Sequence, residues 1–398
     1  MPKHERVDTL IVCSHLNKTE AAYRRISYLA NYLRLNGLKV VCVSTLWLTK
    51  QGLLRPSEEC LVTSLSVSTR SLATRLLNVA LSLPLVALIL AIRPKVVLVS
   101  IPDSHFVLPS YLGCALTGAR FIVDVRDPEE EIMVWKYRRG LSGLLSKMYK
   151  RVNYSIYRRS HVVVGVTRSL VAMLARKIGR PVYLAPNGAD LKVFKPIDRS
   201  VARKRLRLDQ GSFLIAYVGT LSSRGYYDLL PLLLAIRRVR REVNVDVKLV
   251  AAGPILDDHV KKIIESFRDE LVYLGLLDVE GVVNLLSACD VGVVPRVSDP
   301  IYDYMLPVKF YEYVAVGLPL IVMANKESEL ARVMEKNRLG LLCEPNNVGC
   351  LEKALSQLVK DRRLLEYFKK NSINFREFID RKTGAEILFK TIKGLLRR

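Results

Sequence analysis

Ten short runs of Val, Ile and Leu constrain this chain more than any other feature. Five lie in the first half: TLIVCS (9–14), KVVCVS (39–44), VVLVS (96–100), FIVDV (121–125) and VVVGV (162–166). Five more lie in the second: FLIAYVG (213–219), VKLVAAG (247–253), LVYLG (271–275), VGVVP (291–295) and LPLIVM (318–323). Apolar residues follow one another in these runs instead of alternating with polar ones. Both faces of each strand are therefore buried, as in parallel sheets covered by helices on both sides. Helix-length stretches separate the runs, and each series is enough for one doubly wound domain. The expected fold is α/β, two doubly wound Rossmann-like domains facing a central cleft. Pro186, Asn187-Gly188 and Pro196 are turn and breaker signals at the join. They divide the chain into residues 1–185 and 186–398, the second domain closing with the basic helix RKTGAEILFKTIKGLLRR.

Charge narrows the partners. Lys and Arg outnumber Asp and Glu by 62 to 38, a formal net charge of +24. That excess favours phosphates on nucleic acid, on nucleotide ligands or on an anionic membrane surface. It gathers in WKYRRGLSGLLSKMYKRVNYSIYRRS, 135–160, which has eight Lys/Arg and no acid. Leu141, Leu144, Leu145, Met148, Val152 and Ile156 fall there at helical spacing. The segment reads as a basic amphipathic helix with interfacial Trp and Tyr, suited to anionic lipid; a solvated helix on the core is the plainer alternative. No RNP, zinc-finger or helix-turn-helix signature accompanies the charge, which argues against nucleic acid.

LLNVALSLPLVALILAI, Leu76 to Ile92, runs 17 residues without a charge but is interrupted by Asn78, Ser82 and Pro84. It is expected as a buried helix on the sheet, ahead of a bilayer-surface contact or a span. The seven cysteines stand singly at 13, 42, 60, 114, 289, 343 and 350, with no CxxC pair. They are expected as reduced, mostly buried thiols of a cytosolic protein. The start, MPKHERVDTLIVCS, lacks the long apolar region and cleavage site of a signal peptide.

In doubly wound sheets, ligands bind beyond the carboxyl ends of the strands. After FLIAYVG comes GTLSSRGYYDLLPLLLAI: a strand-end Gly219, a polar loop and a helix. Backbone N–H groups of such a turn can hold a phosphate, and Arg224 would neutralise it. Ordinary strand-to-helix turns look similar, and this one is neither GxGxxG nor a Walker loop. VAAGP and VYLGLLD end strands at Gly253 and Gly275. PVKFYEYVAVGLP, 307–319, opens a helix carrying Lys309 and, one turn in, Glu312. A carboxylate there can accept two hydrogen bonds from the vicinal hydroxyls of a ribose; simple complementarity to the helix dipole is the alternative.

This order resembles the retaining GT-B glycosyltransferases of the large glycosyltransferase family 4 type (glycosyl transferases group 1). The resemblance covers nearly the whole chain and is strongest in PNGADLKVF (186–194), AYVGTLSSRG (216–225) and the run from Ala288 to Pro319. PVKFYEYVAVGLP is similar to a branch with P-x-K-x-x-E-Y-x-A-x-G-x-P. The resemblance implies that Glu312 binds the nucleotide ribose and that Arg224 and Lys309 meet the diphosphate. Gly219 would belong to the phosphate loop, and the backbone at Gly275 and Leu276 would receive the base. Residues 186–398 become the donor domain and 1–185 the acceptor domain. Tyr304 stands where many members have a second Glu on the sugar, and Thr220 where an Arg is frequent; Asp299 or Asp303 could substitute on the sugar side.

FIVDVRDPEEE, 121–131, resembles by position the acceptor loop of that family. Asp127 is expected to orient an acceptor hydroxyl and Arg126 to hold a phosphate, against the alternative of a helix start with acids in its first turn. His15, after the first strand, reads as structural. The implied reaction moves a sugar from a nucleotide-sugar donor to a hydroxyl or lipid-linked acceptor with retention, in polysaccharide, glycolipid or glycan synthesis. The expected place is the cytoplasmic membrane face, peripherally. Arg224, Lys309 and Asp127 are the catalytic candidates. Apart from the nucleotide-sugar co-substrate no cofactor is expected, and no metal, because cations and helix dipoles stabilise the leaving diphosphate. A nucleotide-sugar epimerase on the same fold, or a non-catalytic basic scaffold on membrane or RNA, is the alternative.

Overall fold

All ten apolar runs are strands in the computed structural model, which describes residues 6–14, 21–49, 52–57, 59–67, 71–102, 104–222 and 228–397. The chain forms two units, residues 1–187 with 381–398 and residues 188–380.

In the first unit the strands are β1 (Thr9–Val12), β2 (Val40–Thr49), β3 (Gly52–Leu54), β4 (Cys60–Val67), β5 (Val96–Ile101), β6 (Arg120–Val125), β7 (Val162–Gly165) and β8 (Tyr183–Leu184). They form one sheet in the order β3-β2-β1-β5-β6-β7-β8, with β4 also paired to β2. Every pairing is parallel except that between β2 and β3. The register sets Leu10 beside Val97 and Val97 beside Phe121, all buried, which is the double-sided burial that the continuous apolar runs require. The helices are α1 (Ala21–Leu35), α2 (Leu72–Leu81), α3 (Pro84–Ile92), α4 (Val107–Thr117), α5 (Glu129–Lys136), α6 (Gly140–Arg159) and α7 (Arg168–Ile178). Local chemistry sets their ends: Thr167 accepts the Leu170 N–H to start α7, and Gly179 ends it at φ +66°.

Arg25 of α1 explains the Pro186-Asn187 signal. Its guanidinium pairs with buried Asp124 (2.8 Å) and also donates to the Ala185 and Pro186 carbonyls and to Asn187 Oδ1. One buried side chain thus fastens the chain at the end of this unit.

The second unit has β9 (Phe213–Val218), β10 (Val247–Ala252), β11 (Leu271–Tyr273), β12 (Val291–Pro295), β13 (Leu320–Met323) and β14 (Gly340–Cys343) in a parallel sheet ordered β11-β10-β9-β12-β13-β14. Its helices are α8 (Arg199–Arg205), α9 (Leu230–Val239), α10 (Asp258–Ser266), α11 (Val279–Ala288), α12 (Val308–Ala315), α13 (Glu329–Asn337), α14 (Val348–Lys360) and α15 (Arg362–Phe375). Strand order reverses between β9 and β12, which pair only at Ile215–Val291 and Ala216–Gly292. Tyr313 of α12 enters where they part. Its hydroxyl accepts the Val218 N–H (2.8 Å), and its ring lies where a Cβ on Gly292 would be 2.5 Å away. A parting of neighbouring strands at the point of reversal is where this class of sheet binds ligands.

Three expectations are corrected. The closing helix, α16 (Arg381–Leu396), belongs to the first unit and not the second: Leu388 and Ile392 pack with Ile26, Leu29 and Leu33 of α1. The 76–92 run is not a buried helix. It is broken at Ser82-Leu83 into α2 and α3, and only 22% of its most apolar window is buried. Among the described residues the stretch Leu72–Ile92 is long and apolar enough to cross a membrane. Finally, the cysteines are not all thiols: Cys343 and Cys350 form a disulfide, because the end of β14 meets the first turn of α14.

Candidate functional site

The glycines singled out at strand ends stand in one row. Gly219 and Gly253 adopt φ of +142° and +141°, and Gly275 adopts +73°, conformations that exact little cost only from glycine. The Gly219 N–H donates to the Ala252 carbonyl and the Gly253 N–H to the Gly275 carbonyl, both at 2.9 Å. A Cβ on Gly253 would lie 2.1 Å from the Gly219 oxygen, so the two loops touch backbone to backbone. Leu276 follows, exposed.

Facing this row is the first turn of α12. Lys309 is 7% exposed and Glu312 3% exposed, a spacing that sets both on one side of the helix. The Lys309 amine lies 3.9 Å from the centre of the Tyr217 ring and 2.9 Å from where a Gly219 Cβ would stand. Only glycine at 219 leaves room for it. Burial pushes the Lys309 amine well below its ordinary range; nearby Arg296 acts in the same direction, and Glu312 opposes. Two buried basic side chains beside one carboxylate make an electrostatic environment in which an added anion would favour the charged form of Lys309.

Arg296 was not among the candidates. It directly follows β12, is buried, donates to the Met305 carbonyl and lies over the Tyr302 ring. A cation at the end of VGVVP was the available signal. Of the two acids considered on the sugar side, Asp299 accepts the Ile301 N–H and caps the turn Pro300–Tyr304. Asp303 instead receives both of its contacts from Asn325 Nδ2 (3.0 and 3.3 Å), and burial raises its pKa. Thr220 is exposed and Tyr304 half-buried. Arg224 lies outside the described residues, as does His15.

In the first unit Asp127 sits half-buried at the bend between β6 and α5. Arg126 is turned inward, its Nε donating to the Ile101 carbonyl (3.0 Å) and its Nη2 reaching Cys13 Sγ (3.7 Å). It clasps strand ends, where a phosphate-binding arm was expected. The three acids that follow are structural. Glu129 pairs with Arg75, Glu130 Oε1 accepts from Tyr157 and Asn153, and Glu131 pairs with Lys150 and accepts from Tyr154. Among the described residues no three His, Cys, Asp or Glu side chains gather into a metal-binding group.

Two doubly wound sheets, parallel but for the β2–β3 edge pairing, with a buried Lys–Glu helix at the switch point of the second, define a GT-B protein. The chain belongs to the glycosyl transferases group 1 family: residues 22–193 match the model described as Glycosyltransferase Family 4, and 212–361 that described as Glycosyl transferases group 1. It is 22% identical over 246 residues to the probable glycosyltransferase WbjE of Pseudomonas aeruginosa, a match covering 61% of this chain. The chain spans only 60% of that relative's length. Sucrose-phosphate synthase from Thermosynechococcus elongatus shares the fold at a TM-score of 0.73 and 16% identity, over 98% of this chain and all of that one. The Anabaena protein HepE, in complex with UDP and glucose, shares it at 0.66 and 13%, over 98% and 100%.

Proposed function

We propose that the chain transfers a sugar from a nucleotide-sugar donor to a hydroxyl or lipid-linked acceptor with retention of anomeric configuration. The observation that carries this is the Lys309–Glu312 pair, buried at the switch point against the Gly219 backbone. Glu312 anchors the ribose, while the Gly219 loop, Lys309 and Arg224 take the diphosphate. The backbone at Gly275 and Leu276 receives the base. When the bond from the sugar to the diphosphate breaks, negative charge grows on the leaving group. Preorganised cations in a water-poor site stabilise that charge more than water does, and no metal is needed for it. Asp127 orients the acceptor hydroxyl, and the 135–160 segment touches anionic lipid. These roles serve envelope polysaccharide, glycolipid or glycan synthesis.

The test is calorimetric titration of the purified chain with UDP-, GDP- and ADP-sugars, beginning with UDP-glucose, because the Anabaena neighbour holds UDP and glucose. One series is expected to bind saturably. Glu312→Gln is expected to weaken it roughly tenfold, the loss of hydrogen bonds to a charged acceptor, and to bind the 2′,3′-dideoxy nucleotide as wild type does. Absence of saturable binding to every donor defeats the reading.

A further inference from the structure

Helices α2, α3, α4 and α6 of the first unit are apolar on both faces: they bury Leu72, Leu85, Ile89, Val107, Ile156 and Tyr157, yet also carry apolar residues outside. In α6, Ser146 and Asn153 face inward and are buried. Leu141 is 71% exposed, and Leu144, Met148 and Val152 about half exposed, along one outer stripe. Ser146 donates to the Gly143 carbonyl of its own helix, and α5 satisfies the rest: Asn153 and Tyr157 donate to Glu130, and Tyr154 and Lys150 to Glu131. In α2 and α3, too, polar side chains are buried and apolar ones exposed. Asn78 and Ser82 are buried, while Leu76, Leu77, Leu83 and Leu90 point out. Asn78 clamps the end of β4, accepting the Val67 N–H and donating to the Val67 carbonyl, both at 2.9 Å. In α4, Gly113 lies under Ile89 of α3, and Leu112 and Leu116 are exposed. Each of these helices thus keeps apolar residues on its outer face.

Exposed apolar residues grouped on neighbouring helices mark interaction or membrane sites more than singly scattered ones do. Its charge selects the occupant. The segments 72–92, 107–117 and 140–159 contain no Asp or Glu, and exposed Lys147, Arg151 and Arg158 flank the α6 stripe. Exposed Trp135, Arg138 and Arg139 lie just before it. Apolar residues with only cations around them match acyl chains beneath anionic headgroups. A protein interface would be expected to mix in acids.

We propose that the outer faces of α2, α3, α4 and α6 form a single monotopic docking surface for an anionic bilayer, in which the α2–α3 run enters the acyl region. This extends the lipid contact suggested for 135–160 to a second and more apolar element, and it rests on the exposed faces and not on the donor site. The run is docked and does not span, since Leu72, Asn78, Ser82, Leu85 and Ile89 are held in the first unit. Arg75 of α2 pairs with Glu129, two residues from Asp127. The inserted element therefore borders the proposed acceptor residue, where a lipid-borne hydroxyl would emerge.

The experiment is flotation of the whole chain with vesicles of phosphatidylcholine alone and of phosphatidylcholine with phosphatidylglycerol at 3:1. Binding is expected to the second and at least tenfold weaker to the first. The triple variant Leu77→Glu/Leu83→Glu/Leu90→Glu is expected to lose at least tenfold in vesicle affinity, with unchanged circular dichroism and unchanged nucleotide-sugar titration. Lys147→Glu/Arg151→Glu is expected to lose the preference for phosphatidylglycerol. Wild-type protein that fails to float, or a triple variant that floats as wild type does, overturns the proposal. So does reaction of residues in α2–α3 with a membrane-impermeant label on the far side of sealed vesicles, which would mean a span, or a dimer that the triple variant dissociates without any vesicle binding. Donor titration is read separately, so loss of the lipid surface and loss of the enzymatic reading are told apart.

Discussion

Replacing Lys309 with Met separates a binding residue from a structural one, because the two roles predict opposite changes. The amine is buried against Tyr217 and Gly219, and holding a charge there costs several kcal/mol even after relaxation. Met nearly matches the volume and removes that cost. It also removes a cation–π contact worth about 2 kcal/mol when desolvated, and the attraction of Glu312. The terms nearly cancel, so unfolding free energy in urea is expected to hold or to rise by ~1–2 kcal/mol. Donor binding should move the other way: a lost hydrogen bond between charged partners is worth about 1.5–3 kcal/mol, or roughly 10- to 150-fold in Kd. The pH dependence gives an independent check. The folded-state pKa of Lys309 lies below its unfolded value, so between the two the unfolded chain holds more protons and stability climbs with pH. Lys309→Met should lack that climb. A variant that loses more than about 2 kcal/mol while binding the nucleoside diphosphate as tightly as wild type would refute the assignment and make Lys309 a core residue.

Other substitutions probe the frame around the site. Gly253→Ala drives a Cβ to 2.1 Å from the Gly219 oxygen at φ +141°; a loss of roughly 1–3 kcal/mol is expected by urea unfolding, and a change below ~0.5 kcal/mol would mean that the loops do not touch. Arg203, fully buried, donates to Asp290 and to the carbonyls of Ala288, Asp209, Gln210 and Ser212. Arg203→Met should cost about 3–5 kcal/mol, and the double variant with Asp290→Asn clearly less than the two single losses added. Glu130 is buried and its carboxyl pushed up chiefly by desolvation. The folded protein therefore holds the extra proton, and stability falls as pH rises from about 4.3. Glu130→Gln, which keeps an acceptor for Tyr157 and Asn153, should flatten that fall and be more stable at pH 8 by ~1 kcal/mol or more; an unchanged profile would show that Glu130 ionises freely.

The ten central strands were legible because a strand covered on both faces must be apolar at every position, and that pattern survives in one dimension. Strands β3, β4, β8 and β14 were not. β4 is only partly buried along most of its length, so CLVTSLSV carries no continuous apolar run, and the other three have two to four residues. Gly219, Gly253 and Gly275 were readable from their places at strand ends, and Lys309 and Glu312 from their motif. Arg296 was not, because a lone Arg after a strand looks like any surface cation until neighbouring groups bury it.

What the amino-acid order determined alone is the class of fold and the places of the strand-end glycines and of the Lys309–Glu312 pair, since these are written in local periodicity and in short motifs. Tertiary structure decided which side of each helix meets water, and which element each helix serves. The closing helix went to α1 because apolar faces find partners by shape, at separations along the chain that no local pattern records. Asn78 and Asn153 turned inward because β4 and Glu130 offered them hydrogen bonds there. A buried polar group goes where its partner is, and with those positions taken, several leucines of α2, α3 and α6 face outward.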